Sequence, residues 1–380
     1  MSFCQDLLKV RNHMNKKTVI PLLPRYFSDR ETILATSGKL TASTFLYSTG
    51  VVGLRITNSC GEIEVLPFQG QQIWRASFYN RELTMRSMFD EPNPTTDYLS
   101  TYGAFLIHCG VIGMGAPTPQ DDHPTHGELP NAHYRHAELL VGSDDEGAFM
   151  TITGQYQYSV AFSHNYIAQP SITLRESHGR INVEMSIKNL KSSPMELMYL
   201  AHINFLPVDN AKIVDTAPEG IDNLRVTHIF KNLYETDNDY RQMVDSFIED
   251  PEKHRSFAPG GVIDPEIVFA INPLSDKDGW ASSMQIHPDG SADFVRHRPA
   301  EFPHSVRWIC RSGEQGALGL LLPSTAEPGG YLAERAKGNL QIVNAKAEAH
   351  FVFECGALDA SAATDLSKEI LEVRFKGAQK

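Results

Sequence analysis

Cysteine is scarce in this chain and never clustered: Cys4, Cys60, Cys109, Cys310 and Cys355 are scattered, odd in number and without a CxxC pair. That argues against a disulfide framework and for reduced, mostly buried thiols in a cytoplasm. No apolar run approaches the roughly 20 residues a bilayer-crossing helix needs, and the start, MSFCQDLLKVRNHMNKK, lacks the basic-then-apolar order of a secretory signal. Basic charge is also short, with 34 Lys and Arg against 46 Asp and Glu and a net charge of −12. No basic stripe is interleaved with aromatics, so nucleic acid and anionic membrane are poor partners. Several catalytic signatures are missing as well. GVIGMG is not GxGxxG, there is no GxSxG elbow, and no Walker lysine motif occurs.

What is present is the composition of a globular protein, 41% hydrophobic and 21% charged over 380 residues. From Val19 onward the pattern is of short β-type runs: LTASTFLYS, VVGLRITNS, EIEVLPF, QQIWRASFYN and ELTMRSMF, broken by Gly53, Gly61, Gly70 and Asn80. DEPNPTTD, residues 90 to 97, reads as a loop. The alternation is clearest at RINVEMSIKNL, where Ile181, Val183, Met185 and Ile187 share one face. SITLRES pairs with it through a turn at Ser177, His178 and Gly179. GQYQYSVAF and MELMYLAHINF also read as strands. After Asp289-Gly290, a hairpin turn, VRWIC, GALGLLL, AHFVFEC and ILEVRF continue the β pattern.

Two segments look helical: a short one within residues 1 to 18, and DYRQMVDSFIED, residues 239 to 250, with Met243, Val244, Phe247 and Ile248 on one face and Pro251 as its stop. Many strands, few helices, and neither a βαβ rhythm nor an internal repeat predict one large all-β sandwich spanning residues 1 to 380.

The densest chemistry lies in YGAFLIHCGVIGMGAPTPQDDHPTHGELPNAHYRH, residues 102 to 136. An apolar, glycine-punctuated half runs into His123, His126, His133 and His136 among Asp121, Asp122, Glu128 and Asn131. Imidazoles exchange protons near neutral pH, and Glu128 can orient one of them or act beside it. A solvated loop accounts for the same composition. His123, His126 and Glu128, with His202, also offer nitrogen and oxygen ligands to a metal, although HExxH is absent. Cys109, inside an apolar run, reads as a core thiol rather than a nucleophile. Trp74, Trp280 and Trp308 offer stacking faces for a sugar, with buried core as the plainer role for each.

SMFDEP (Ser87 to Pro92), the HCG of His108 to Gly110, HGELPNA (His126 to Ala132) and HINF (His202 to Phe205) occur in this order. Together they resemble aldose 1-epimerase-like proteins of the galactose mutarotase superfamily, over about Val65 to Arg335. The resemblance implies a β-supersandwich whose concave sheet holds a monosaccharide or a derivative, without a cofactor. It implies that His126 contacts the sugar, that His202 protonates the ring oxygen, and that a glutamate takes the proton of the anomeric hydroxyl. His108 falls where a sugar-binding arginine is expected. Asn131 lies within HGELPNA, and Asn204 shares a strand face with His202.

The glutamate departs from the pattern. Leu322 stands where that carboxylate belongs, and Glu327 or Glu128 is left to replace it. A carboxylate near His202 would favour its protonated form. Without such a group the chain binds a sugar and catalyses nothing, and a metal-dependent sugar isomerase or lyase is the third reading.

Overall fold

Alternating apolar residues in successive short runs give strands with one face to bury, and the chain satisfies them by stacking two antiparallel sheets. The computed structural model describes residues 17 to 377. Among these, one sheet has nine strands and the other thirteen. This is the galactose mutarotase-like β-supersandwich expected above.

The nine-stranded sheet includes the long Gly147–Val160, His164–Arg175, Arg180–Asn189 and Glu348–Leu358 strands. In Arg180–Asn189 the predicted alternation is explicit: Ile181, Val183, Met185 and Ile187 are buried and Glu184 and Lys188 exposed. The thirteen-stranded sheet carries Leu106–Val111, Met195–Ile203, Ile263–Ile271, His304–Arg311 and Gly316–Ser324. Between the sheets lie Tyr199, Phe302 and Phe351, with neighbouring ring centroids 5.1 to 5.9 Å apart. Each fully buried side chain of this size contributes about 1.5–3 kcal/mol relative to exposure.

The interior also holds charge. Arg307 and Asp215 are wholly buried and joined at 2.9 Å, with Arg255 on the same Asp215 oxygen at 2.7 Å. Arg307 further donates to the Leu320 carbonyl and the Ser283 hydroxyl, and meets Nε2 of His254. Such a cluster survives burial because almost every polar atom is paired.

The helix read at 239 to 250 spans Asn238–Glu249, where Asp237 caps it by accepting from the amides of Asp239 and Tyr240. Tyr240, Val244 and Phe247 are its buried residues, whereas Ile248 is exposed. ILEVRF, expected as a strand, is instead part of an Ala360–Gly377 helix. Ala363 and Ile370 are buried there, with Leu366 packed beside them, against Met284, Phe294 and Leu358. ELTMRSMF, residues 82 to 89, contributes only Glu82 to a two-residue strand, Arg81–Glu82. Thr18–Pro21 is a strand, and residues 1 to 16 of the expected helix lie outside the described residues, Cys4 among them.

Candidate active site

The Met195–Ile203 strand pairs with Leu106–Val111 so that His202 lies opposite Ile107 and Ala201 opposite His108. Directly paired residues project to the same side, so His202 and His108 occupy opposite faces of the sheet. Tyr199, on the inner face, receives His108: Nδ1 lies 2.8 Å from the Tyr199 hydroxyl, and the residue is fully buried. Burial pushes the His108 imidazole down to about 3. The expectation that His108 contacts a sugar is therefore corrected, because it belongs to the core between the sheets.

On the other face His202 packs within an aromatic cluster. Its ring centroid lies 5.3 Å from that of His126, 5.2 Å from Trp308 and 6.0 Å from Tyr102. Tyr98 closes the ring of contacts, 4.8 Å from His126 and 5.1 Å from Tyr102. The structure thus brings together the two histidines that the motifs singled out. The His126 backbone adopts φ +59°, uncommon for a residue with a side chain. It is fastened there by its amide donating to Gly115 and its carbonyl accepting from Gly110. Gly127 follows at φ +81°, where an added Cβ would lie 2.3 Å from the Gly110 oxygen. Only glycine permits that approach.

Asn204 is spent on internal contacts. Its Nδ2 donates to the Ala104 carbonyl at 2.9 Å, which turns Oδ1 toward Nδ1 of His202 at 2.6 Å. The Nδ1 atom must then carry the proton, leaving the Nε2 lone pair free when the ring is neutral. Burial, partly offset by the Asn204 hydrogen bond, lowers His202 to about 4. Burial first, then the His202 and His123 charges, lowers His126 to about 3. This corrects the expected preference for a protonated His202: desolvation dominates, and both rings are neutral near pH 7.

Neither expected glutamate stands free. Glu128 accepts from the amides of Val111 at 2.9 Å and Ile112 at 3.3 Å, and from the hydroxyl of Tyr166 in the opposite sheet. Burial, only partly opposed by those hydrogen bonds, lifts it to about 7. Glu327 is paired with Arg225 and, at 2.8 Å, with Lys337. Burial would raise Glu327, but the two cations outweigh it and hold it below the usual carboxylate range. Asn131 accepts from Gln69 and Gln72 and donates to the Asp97 carbonyl, so it stitches down the loop that presents Tyr98. His133 and His136 line a separate cleft of about 890 Å³ with Phe68, Arg135 and Gln155. Leu322 is buried opposite Val306.

The carboxylate that does stand beside the aromatic cluster is Glu266, on the Ile263–Ile271 strand. It accepts the indole N–H of Trp308 at 2.6 Å. That bond holds Glu266 against Trp308 although the strand pairing shifts register between Ile263 and Ile267. Burial raises the Glu266 carboxyl, while the indole bond and the His228 charge pull it down less strongly. Its sequence signal was an acidic residue set in the apolar strand IDPEIVFAI. Among the described residues no group of three or more His, Cys, Asp and Glu is arranged to hold a metal ion, and no helix is long and apolar enough to cross a membrane.

Solved structures share this architecture. A protein from Klebsiella pneumoniae described as a candidate aldose 1-epimerase superposes with a TM-score of 0.79 at 14% identity, covering 94% of this chain and 96% of its own. A galactose mutarotase-like protein from Clostridium acetobutylicum gives 0.54 at 14% identity, covering 84% and 99%. Galactose 1-epimerase from Lactobacillus acidophilus gives 0.52 at 8% identity, covering 90% and 98%. At such identities the likeness is one of fold. No curated protein matches the chain by sequence. A family model does, over residues 48–356, and the chain belongs to that family, described as Domain of unknown function (DUF4432).

Proposed function

We propose that this chain is an aldose 1-epimerase-like isomerase, which binds a monosaccharide or a derivative and interconverts its anomers. The observation that carries this reading is the meeting of His126 and His202, edge to face at 5.3 Å, within a cluster formed with Tyr98, Tyr102 and Trp308. Aromatic faces suit the apolar face of a sugar ring, and two imidazoles whose lone pairs are free suit its hydroxyls. Anomerisation needs one group to take the proton of the anomeric hydroxyl and another to give one to the ring oxygen, which proton-exchanging side chains can do unaided. The fold shared with epimerase-like proteins supports the same reading.

Freshly dissolved single anomers of a panel of aldoses, followed by polarimetry or NMR exchange, test it. The enzyme should accelerate equilibration of at least one sugar, and His202→Ala should remove the acceleration. A second reading is favoured by the engagement of Glu128 and Glu327 in internal contacts: a sugar-binding protein without catalysis. It is distinguished by sugars that raise the melting temperature with no exchange above background.

A further inference from the structure

The epimerase reading leaves its acid–base pair incomplete, because Leu322 replaces the expected carboxylate and Glu128 and Glu327 are held elsewhere. Resting on that reading, we infer that Glu266 is the partner of His202 and that the pair works opposite to the sense the resemblance implies: Nε2 of neutral His202 takes the anomeric proton, and the Glu266 carboxyl protonates the ring oxygen.

Three observations converge. Glu266 and His202 flank the same indole: the Trp308 ring lies 5.2 Å from His202, and its N–H reaches Glu266 at 2.6 Å. The tautomer of His202 is fixed by Asn204, whose own amide is fixed by the Ala104 carbonyl, so Nε2 offers a lone pair rather than a proton. The groups around Glu266 keep its acid form within reach. Tyr98, Tyr102, Tyr240 and Cys310 feel its charge, Trp308 donates to it, and His228 opposes the effect of its burial. Around His202 stand His126, Tyr102, Trp308 and Asn204.

The proton balance closes. As Nε2 takes the proton from the C1 hydroxyl, that oxygen forms the C1 carbonyl. The bond from C1 to the ring oxygen breaks, with its electron pair going to the ring oxygen, which takes the Glu266 proton. The open aldehyde turns about C1–C2. Reclosure returns the ring-oxygen proton to Glu266 and the His202 proton to the new anomeric hydroxyl, so both groups end as they began.

The test uses the full chain and whichever aldose of the panel the wild type equilibrates fastest. Glu266→Gln should lower the exchange rate by roughly 100-fold or more. It should keep the sugar-induced rise in melting temperature, and its residual rate should lose the alkaline fall of the wild-type pH profile. Glu266→Asp should recover part of the rate. If Glu266→Gln exchanges the sugar at the wild-type rate, or if only Glu327→Gln or Glu128→Gln removes exchange, the inference is overturned while the epimerase reading stands. If the wild type accelerates no sugar, the epimerase reading itself falls and takes this assignment with it.

Discussion

The side-chain oxygen of Asn204 lies 2.6 Å from Nδ1 of His202, and because the same amide donates to Ala104 it cannot turn over without losing a bond. Replacing that oxygen by a carboxylate should stabilise the imidazolium. Asn204→Asp is expected to raise the titration midpoint of His202 by about 1 to 3 units, the usual effect of an adjacent opposite charge. NMR titration of the His202 ring reads this directly. An unmoved midpoint would show that Asn204 does not control the ring.

The loop that presents His126 depends on a glycine beside it. At Gly127 an added Cβ would meet the oxygens of Gly110 and Gly113 at 2.3 and 2.4 Å, in addition to the strain of φ +81°. Gly127→Ala should cost about 2–4 kcal/mol in urea unfolding, conformational strain and overpacking together. Gly338 is the comparison, because it has φ +79° and no atom within 4 Å of an added Cβ. Gly338→Ala should cost only about 1–2 kcal/mol. Equal costs would assign the whole effect to dihedral strain.

The buried cluster of Arg307, Asp215, Arg255 and His254 lies on the inner face of the sheet, one residue from Trp308. Arg307→Ala strands a buried carboxylate whose one remaining cation is Arg255, beside the Ala217 amide, and should cost about 3–5 kcal/mol. Arg307→Met with Asp215→Leu should recover much of that loss. Chemical denaturation of the single and double variants checks both, and a single variant as stable as wild type would contradict the ion-pair account.

Acid should weaken the fold before it protonates the site. His108, His126, His202 and His297 are held at about 3, 3, 4 and 3 by burial. Each is neutral when folded but gains a proton near pH 6.5 when unfolded, so stability is lost as pH falls from about 6.5 toward about 4, at about 1.4 kcal/mol per unit per histidine. Glu128, raised to about 7, works the other way, adding stability as pH falls from about 7 to its unfolded value. The histidines outnumber it, so the urea midpoint should fall between pH 6.5 and 5, and should fall faster in Glu128→Gln. A midpoint that rises over that interval would refute the sign.

Much of this was legible because local patterns were enough. HINF displays His202 and Asn204 at alternate positions, which places them on one face in any strand. The helix now seen at Asn238–Glu249 was marked by its apolar face and by Pro251 as its stop. What stayed hidden depended on pairing between distant strands. Nothing local in LIHCGV reveals that His108 lies across from Ala201 and so faces inward. Glu266 looks like a stray charge until its strand is laid beside that of Trp308. ILEVRF misled because β-branched residues suit strands, while the contacts that make it helical, against Met284 and Phe294, come from another part of the chain.

The back-to-back placement of His108 and His202 has a further consequence. Sheet pleating repeats every two positions, so sliding Met195–Ile203 by a single residue along Leu106–Val111 would exchange its faces. Ala201 would then face the His126 side of the sheet, and His202 would turn inward between the sheets. A misaligned chain would therefore lose the meeting of His126 and His202 while keeping nearly all its strands, a fault that secondary-structure content alone could not report.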